Sequence, residues 1–407
     1  MYDTHHGSGR TALHELCRLT TFSTGFAVEH PEYSDEENDE RNDPTSEINQ
    51  DQFDMIDLAR LIIETSHILL QQPDTLAQYI IYSFEQSILI FKDINGNIPL
   101  HTLCENWNVN YEMMNLMFSL CDPNQSSKDK NIPTVGDLIS HKNYLQCTPL
   151  HHISQCVCSF SALKLLLAQC STGKDSILRV RDNDGETPLH WAFSAGVSKR
   201  RLELYLAKSK DLLYEKNNDN ETPLFAIDIE DFPSARAMWQ RVVLIMGVIL
   251  EREYIADPMF ALAELSDLMP PSFIYLGLRF YREELGDVDD HGRSPLHVAA
   301  MCPSRDLGDA NFLTLLEHYP EAARHRCRKR RLPIHVALET AKSLDCVKAL
   351  LAEYPEGLYE IDPVSQLPCF LLAGVVLEGC LPMVDNRLNS CYTILREDPS
   401  VLRSSCL

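Results

Sequence analysis

The segment CTPLHHISQCVC, from Cys147 to Cys158, holds three cysteines and two histidines within twelve consecutive residues. His152 and Cys156 are one helical turn apart. Thiolate and imidazole are ligands that zinc prefers, but a structural zinc site needs four ligands that converge tetrahedrally, usually from paired turns. Here one helical segment supplies them all, and its TPLH core is a phrase that recurs along the chain with a packing role. We therefore predict no metal site and keep zinc as the alternative.

The sequence also lacks a pattern that would position a catalytic group. GxxxxGKS, GxxxxGKT, GxSxG, HExxH and a kinase-like set are all missing. The histidines of the repeated phrase are spread along the chain, so they do not converge on one site. We predict no catalytic residue, no cofactor and no small-molecule substrate. A catalytic domain could fit only in the 87-residue interval between His14 and His101, and no motif there supports one.

The recurring phrase is clearest at Thr187–His190, where DNDGETPLHWAFSAG joins a turn, a helix start and an apolar helical face. Most copies follow one another at intervals of 35 to 39 residues, and a 72-residue interval divides into 35 and 37 at DPMFAL, Asp257 to Leu262. A fixed period of this length indicates a repeat architecture. The other copies are Thr11–His14, Ile98–His101, Thr148–His151, Thr222–Phe225, Ser294–His297, Leu332–His335 and Leu367–Phe370.

Each copy predicts the start of a helix. Thr, Ser or Asp can act as the N-cap, and Pro suits the next position, where its fixed φ is helical and no backbone donor is lost. Turns such as DNDG, Asp182 to Gly185, precede several copies. A second apolar-periodic segment follows each short helix, for example at 162–170, 201–207 and 345–354. The predicted unit is turn, helix, helix, turn.

These units resemble ankyrin repeats, over nearly the whole chain apart from its insertions. The resemblance is most specific at Asp182–Ala207, where DxDGxTPLHxA is followed by a second helix, and at Asp289–Ala300. It implies an all-α, ankyrin-type helical repeat solenoid of helix-turn-helix units, with the turns projecting as fingers. It also implies that the phrase histidine turns back onto a neighbouring turn. We interpret Trp191, which follows that histidine, as packing against the next first helix.

Residues 1–407 are predicted to form one solenoid of about eight or nine irregular repeats. Two insertions interrupt it: an acidic one at 29–51, whose composition predicts disorder, and a loop at 122–145. The acidic insertion is interpreted either as a solvated loop or as a partner-binding tail. Residues 380–407 are predicted to be a C-terminal capping helix and tail. Departures from the repeat pattern are Phe225, Phe260 and Phe370 for the histidine, Asn220 for a turn glycine, and longer second helices after Phe232.

Composition limits the classes of partner. The formal net charge is -23, from 36 basic and 59 acidic residues, which argues against general nucleic-acid binding. The longest apolar run, 242–250, is too short to span a membrane and is predicted to be a buried helix face. The N-terminus resembles no secretory signal, so the 14 cysteines are interpreted as reduced, mostly packing thiols. We expect a cytoplasmic protein, with the nucleus as the alternative.

The segment RHRCRKRR, 324–331, is the one basic island of this acidic chain. It aligns with a turn, so that Arg328, Lys329 and Arg331 take the places of Asn183, Asp184 and Glu186. Three interpretations stay open: a nuclear-targeting patch, a solvated finger, and a site for an acidic ligand.

We predict a non-enzymatic scaffold or adaptor that binds a protein partner on the concave face of the repeat array. The alternatives are a regulatory or targeting subunit of a separate enzyme and a purely structural spacer. By the resemblance, partners meet finger tips and exposed positions of the first helices. The predicted contact residues are Ile94, Asn95, Glu105, Asn106, Tyr144, Leu145, Asn183, Asp184, Ser194, Asp219, Asp290, His291, Arg293, Arg328, Lys329 and Arg331.

Overall fold

The computed structural model describes most of the chain after residue 87 and six residues before it. The described residues are 13–14, 17, 60–61, 64, 88–105, 111–121, 133–156, 160–171, 173, 176–227, 234–302, 305–374 and 384–397. They form two units, Met1–Asp228 and Ile229–Leu407. Within the described ranges the secondary structure is helical apart from turns and an isolated antiparallel bridge between Ile361 and Pro368.

Unit 1 alternates a short first helix with a longer second helix. Successive first helices contact one another, and so do successive second helices, which gives two packed layers. The first helices are Pro99–Cys104, Pro149–Gln155 and Pro188–Ser194, followed by a 3₁₀ turn at Pro223–Ala226. The second helices are Tyr111–Ser119, Phe160–Gln169 and Lys199–Lys208. Further 3₁₀ turns are Ile88–Ile90, Ile177–Arg179 and Lys210–Tyr214.

Unit 2 repeats the same two-layer arrangement with longer second helices. Its first helices are Pro258–Glu264, Pro295–Met301, Pro333–Glu339 and Cys369–Gly374. Its second helices are Ala235–Leu250, Pro271–Tyr281, Asp306–His318, Leu344–Glu353 and Val384–Glu397. The 3₁₀ turns Arg282–Gly286, Pro320–Arg324 and Pro355–Tyr359 return the chain to the next turn. The predicted all-α, ankyrin-type repeat is confirmed, whereas one continuous solenoid over both units stays a prediction.

Four phrase histidines, His101, His151, His190 and His297, have two structural bonds that join one repeat to the next, whereas His335 makes only the first of them within the described residues. In the clearest copy, the Thr187 N–H donates to His190 Nδ1 at 3.1 Å, so this ring nitrogen helps to cap the first helix. Because Nδ1 accepts, Nε2 carries the proton and donates to a carbonyl of the next turn. These Nε2 bonds, at 2.9 to 3.3 Å, run from His14 to Asn97, His101 to Cys147, His151 to Glu186, His190 to Glu221 and His297 to Arg331.

The copy with Phe225 lacks this cap. Its phrase forms only the short 3₁₀ turn Pro223–Ala226. Thr222 Oγ1 has no hydrogen-bond partner among the described residues, whereas in the Thr187 copy the equivalent oxygen lies 2.8 Å from a ring nitrogen. The degenerate copy at Asp257 does begin an α-helix, Pro258–Glu264, as the period predicts.

One predicted insertion is corrected in part. The segment 122–145 was expected to be a loop, but Val135–Ser140 is a helix. Thr134 and Asp137 form a reciprocal capping box, in which the Asp137 N–H donates to Thr134 Oγ1 at 3.1 Å and the Thr134 N–H donates to Asp137 Oδ2 at 2.9 Å. The Thr-x-x-Asp pattern of Thr134 and Asp137 is a sequence signal for this helix start.

The remaining predicted segments are described to different extents. The apolar run 242–250 lies in the helix Ala235–Leu250 and is largely buried, as expected. The C-terminal helix, Val384–Glu397, contacts the last first helix, and the tail after 397 lies outside the described residues, as do 29–51 and 122–132. None of the described helices is both long and apolar enough to cross a bilayer.

Burial keeps the phrase histidines neutral. It lowers the pKa of His151 and of His297 to about 4, and it lowers the pKa of His101 well below 6.5. The unfolded chain therefore binds more protons than the folded chain between pH 6.5 and about 4. The stability that the neutral rings provide is complete above about pH 6.5 and is lost as the pH falls through this window.

We expect the free energy of unfolding to fall with pH below about 6.5, by up to about 1.4 kcal/mol per pH unit for each such histidine. His297→Phe should lower stability at neutral pH but flatten this slope, because it removes one ring that would otherwise be protonated on unfolding. Denaturant unfolding at about pH 7.5, 6 and 5 measures both slopes. Equal slopes for the two chains would contradict a neutral, buried His297.

Candidate functional site

The exposed turns between repeats are fingers of five residues, and their first residue closes each one. In the finger 182–186, Asp182 Oδ1 accepts the N–H groups of Asp184 at 3.0 Å and Glu186 at 2.8 Å. The backbone adds bonds from the first N–H to the fifth carbonyl and from the fourth N–H to the first carbonyl. The same set of bonds closes the fingers 93–97, 143–147, 217–221 and 289–293. Positions 2 and 3 are therefore left at the tip.

The four fingers of unit 1 are bonded to one another. The N–H at position 2 of each finger donates to the carbonyl at position 3 of the finger before it. These bonds run from Tyr144 to Asn95 at 3.0 Å, from Asn183 to Leu145 at 3.1 Å and from Asn218 to Asp184 at 3.1 Å. In unit 2, Arg328 donates to His291 in the same way at 2.9 Å. The tips therefore occupy fixed positions relative to their neighbours.

Glycine at position 4 accommodates the next finger. Gly96 has a φ of +77° and a Cβ there would lie 2.8 Å from Cδ1 of the Tyr144 ring. Gly292 has a φ of +69° and would bring a Cβ to 3.0 Å from Arg328 N and Cγ. The side chain at position 2 therefore lies over the glycine of the preceding finger, which orients Tyr144 and Arg328.

The first two fingers have apolar tips. Ile94 is 60% exposed, Tyr144 64% and Leu145 60%, although all three are large hydrophobic side chains. They lie on fingers that are hydrogen-bonded to each other. Adjacent exposed apolar side chains on a fixed backbone are typical of a contact surface for another protein.

The third and fourth fingers have acidic tips. Asp184 and Asp219, both at position 3, are exposed and make no ion pair with any residue that the structure describes. Glu186 lies beside them, and burial followed by the charges of Asp182, Asp184, Glu221 and Asp219 raises its pKa. The two nearby arginines are already paired, since Glu215 binds both Arg179 and, at 3.0 Å, Arg181.

The finger 327–331 carries the opposite charge. Arg328, Lys329 and Arg330 are exposed and have no ion-pair partner within the described residues. The carboxylates close by are bound elsewhere: Glu360 pairs with Arg326, and Asp362 and Glu339 pair with Arg331. Three adjacent cations at this tip therefore make no ion pair with a described residue.

Two predicted contact residues instead support the fingers. Arg331 is only 13% exposed, and its Nε lies 2.8 Å from the fully buried Asp362 and its Nη1 2.6 Å from Glu339. Burial alone would raise the pKa of Asp362, but hydrogen bonds from Ser365 and the charge of Arg331 hold it low. The triad Arg328, Lys329 and Arg331 is therefore not one free patch, because its last member is bound to Asp362 and Glu339. Arg293 likewise binds Asp289 at 2.7 Å within its own finger.

The other predicted residues are placed as follows. Asn95, Asn183, Asp290 and His291 are exposed at finger tips, and Ser194 is exposed at the end of a first helix. Glu105 is half-buried, where it accepts from Asn97 Nδ2 at 3.1 Å and lies 3.5 Å from His152 Nδ1. Asn106 lies outside the described residues. The concave face predicted as the binding surface stays a prediction.

Two tip residues were missed from the sequence, Asn218 and Arg330. Both are exposed, Asn218 at position 2 and Arg330 at position 4, where its φ is +60°. Counting five positions from Asn217 and from Cys327, as from Asp182, would have identified them.

Trp191 packs on the first helix of the repeat before it. Its ring meets His151 and His152 edge-on, with centroids 5.6 and 5.8 Å apart. Its Nε1 donates to Asp182 Oδ2 at 2.9 Å, so it also braces the finger that precedes it. These contacts give Trp191 a packing role, and its contact with the next first helix stays a prediction.

The histidines and cysteines described in the segment CTPLHHISQCVC take part in the bonds of the repeat. His151 Nε2 donates to Glu186, and burial and then nearby carboxylates raise the pKa of Cys147 to about 12, which disfavours the thiolate that a metal requires. Among the described residues no three His, Cys, Asp or Glu side chains are arranged to hold a metal. Cys158 lies outside those residues. The cysteines that are described are free thiols.

No protein-family model and no curated protein sequence matches the chain. Among solved structures it is similar to the ankyrin repeat domain of Bcl-3, a member of the IkappaB family, at 21% identity over 63% of this chain and 99% of that one, with a TM-score of 0.28. It is also similar to the complex of the Bdellovibrio bacteriovorus endopeptidase Bd0816 with the immunity protein Bd3460, at 17% identity over 50% and 96% of the two chains, with a TM-score of 0.23. Both TM-scores are low. The ankyrin-type fold is therefore assigned from the helices, fingers and histidine bonds described above.

We expect Trp191→Ala to lower the free energy of unfolding by about 2 to 3 kcal/mol, less than the about 3 to 5 kcal/mol of a fully buried tryptophan, because the ring is half-buried. Trp191→Phe keeps a ring against His151 and loses the bond to Asp182, so it should cost about 1 kcal/mol. Chemical denaturation measures both. An alanine variant that is as stable as the parent chain but binds its partner weakly would instead identify Trp191 as a binding residue.

Proposed function

We propose that this chain is a non-enzymatic scaffold or adaptor that binds a protein partner through its finger tips. The observation that carries the proposal is the group of exposed apolar side chains, Ile94, Tyr144 and Leu145, on two hydrogen-bonded fingers. Exposed apolar area of this kind gains free energy when a partner covers it.

The fixed backbone under these tips favours binding. Tyr144 lies over Gly96, and its N–H is bonded to Asn95, so little conformational freedom is lost on association. Rigid aromatic side chains in a fixed position are efficient anchors, since most of the ordering cost is met before the partner arrives.

The basic tip of unit 2 supplies a second contact of different chemistry. Arg328, Lys329 and Arg330 project from a finger that Arg326 and Arg331 tie to Glu360 and Asp362. We assign this tip to an acidic segment of a partner. Because the charges are exposed, their attraction is screened beyond about 8 Å at physiological ionic strength.

Two other functions remain alternatives, a regulatory or targeting subunit of a separate enzyme and a structural spacer. Affinity purification from cells distinguishes them, since the scaffold predicts a defined non-enzyme partner, the subunit an enzyme and the spacer nothing reproducible. The free thiols support an intracellular location, because a reducing compartment keeps cysteines unpaired.

The apolar tips should be required for the partner that purification recovers. We expect the variant Ile94→Ser, Tyr144→Ser, Leu145→Ser to lose that partner while it keeps the melting temperature of the parent, since exposed side chains bury little area. A matched control, Tyr254→Ser with Tyr392→Ser, removes exposed aromatics from elsewhere. Undiminished recovery with the triple variant, or equal loss with the control, would contradict the proposal.

The basic tip should bind acidic peptides in a salt-sensitive way. A fluorescein-labelled oligoglutamate peptide is expected to bind the parent chain at low salt, to dissociate as salt is added, and not to bind the variant Arg328→Ser, Lys329→Ser, Arg330→Ser. Arg331 is left intact, because its loss would leave Asp362 buried without its partner. The control Arg279→Ser, Arg282→Ser, Lys348→Ser makes the same charge change away from the finger. Equal binding by the tip variant and the control would show that the tip is only a solvated turn.

A further inference from the structure

We infer that the apolar tips of unit 1 bind a partner segment in which an apolar residue is followed, at about three and about six residues, by Lys or Arg. This inference rests on the proposed function and names the chemistry of the segment. It concerns the surface formed by Ile94, Tyr144 and Leu145 together with the tips that continue it, Asp184 and Asp219.

The apolar and acidic tips are in register. Leu145, Asp184 and Asp219 all occupy position 3 of successive fingers, and the tip carbonyls and N–H groups join each finger to the next. Their character changes once along the series, from apolar at the second finger to acidic at the third and fourth. A segment that crosses the fingers therefore meets an apolar contact first and carboxylates afterwards.

The spacing of the fingers sets the spacing of the ligand. Position 2 of each finger is hydrogen-bonded to position 3 of the finger before it, at 3.0 to 3.1 Å from N to O, which places the two Cα atoms about 6 Å apart. The step from position 2 to position 3 adds about 3.8 Å, so equivalent tips recur at up to about 10 Å. An extended peptide advances about 3.3 Å per residue, so it covers one finger in about three residues. Side chains placed three apart can thus reach Leu145, Asp184 and Asp219 in turn.

The charges of unit 1 favour basic residues in the segment. Arg179 and Arg181, the cations closest in sequence to the third finger, are both bound to Glu215. Lys216, which directly precedes the fourth finger, is exposed and has no ion pair with a described carboxylate, and it offsets part of the acidic charge there. Asp184, Glu186, Asp219 and Glu221 still leave an excess of negative charge, and the formal charge of the whole chain, -23, attracts cations over longer distances.

The apolar side chains of Ile94, Tyr144 and Leu145 determine where the partner segment begins. Tyr144 lies over Gly96, so its ring is held on the finger that also carries Ile94. An apolar side chain of the partner gains by covering this surface, whereas a basic one would lose hydration there. Lys or Arg gains only at the third and fourth fingers, which gives the segment a direction and a register.

The test is selection of random peptides of about 12 residues, displayed on phage, on the full-length chain. We expect the enriched peptides to share an apolar residue with Lys or Arg about three and six positions away. In the variant Asp184→Lys, Asp219→Lys, these peptides should bind at least about tenfold more weakly, and acidic residues should replace the basic ones in a repeated selection.

A control variant, Glu112→Lys with Glu203→Lys, makes the same charge change on the exposed side of second helices and should leave both the selection and the affinities unchanged. Enriched peptides without the basic spacing, or equal weakening by the control, would overturn the inference. The proposed function would survive that result, provided that the cellular partner still required Ile94, Tyr144 and Leu145. If that partner bound the triple serine variant as well as the parent, the proposed function would fail as well.

Discussion

The described structure depends on a neutral imidazole that acts at both of its nitrogens. Nδ1 accepts a backbone N–H at the start of its own helix, and Nε2 donates to a carbonyl of the next turn, as His190 does with Thr187 and Glu221. A protonated ring could not accept at Nδ1, and burial makes protonation unfavourable. One residue type thereby couples the start of a helix to the position of the neighbouring finger.

This bond also holds the backbone of the fingers in place. The carbonyl that receives the histidine, such as that of Glu186, belongs to position 5, and Asp182 at position 1 holds the same backbone from the other side. The side chains at positions 2 and 3 do not take part in the bonds that close the finger, so they can change without loss of the turn. This separation allows the same backbone to present Tyr144 in one finger and Asp184 in the next.

The tips keep their net charge because most of the opposite charges nearby are already in ion pairs. Glu215 binds the arginines next to the acidic fingers of unit 1, and Arg326 and Arg331 bind the carboxylates next to the basic finger of unit 2. Each set of ion pairs also joins one turn to the next, so it stiffens the base while it leaves the tip charged. A tip of either sign is then available to a ligand of the opposite sign.

The sequence by itself determined the helix starts, the period and the closed turns, because these depend on local chemistry: Pro after an N-cap, and Asp or Asn two and four residues before the N–H groups it accepts. Even the degenerate copy at Asp257 followed from the period alone. The tertiary structure decided which tip residues are free. Arg331 looked like its neighbour Lys329 in the sequence, but it is committed to Asp362, 31 residues later, and Trp191 found its ring contacts in the preceding repeat. Such choices depend on distances between repeats, which no local pattern of residues contains.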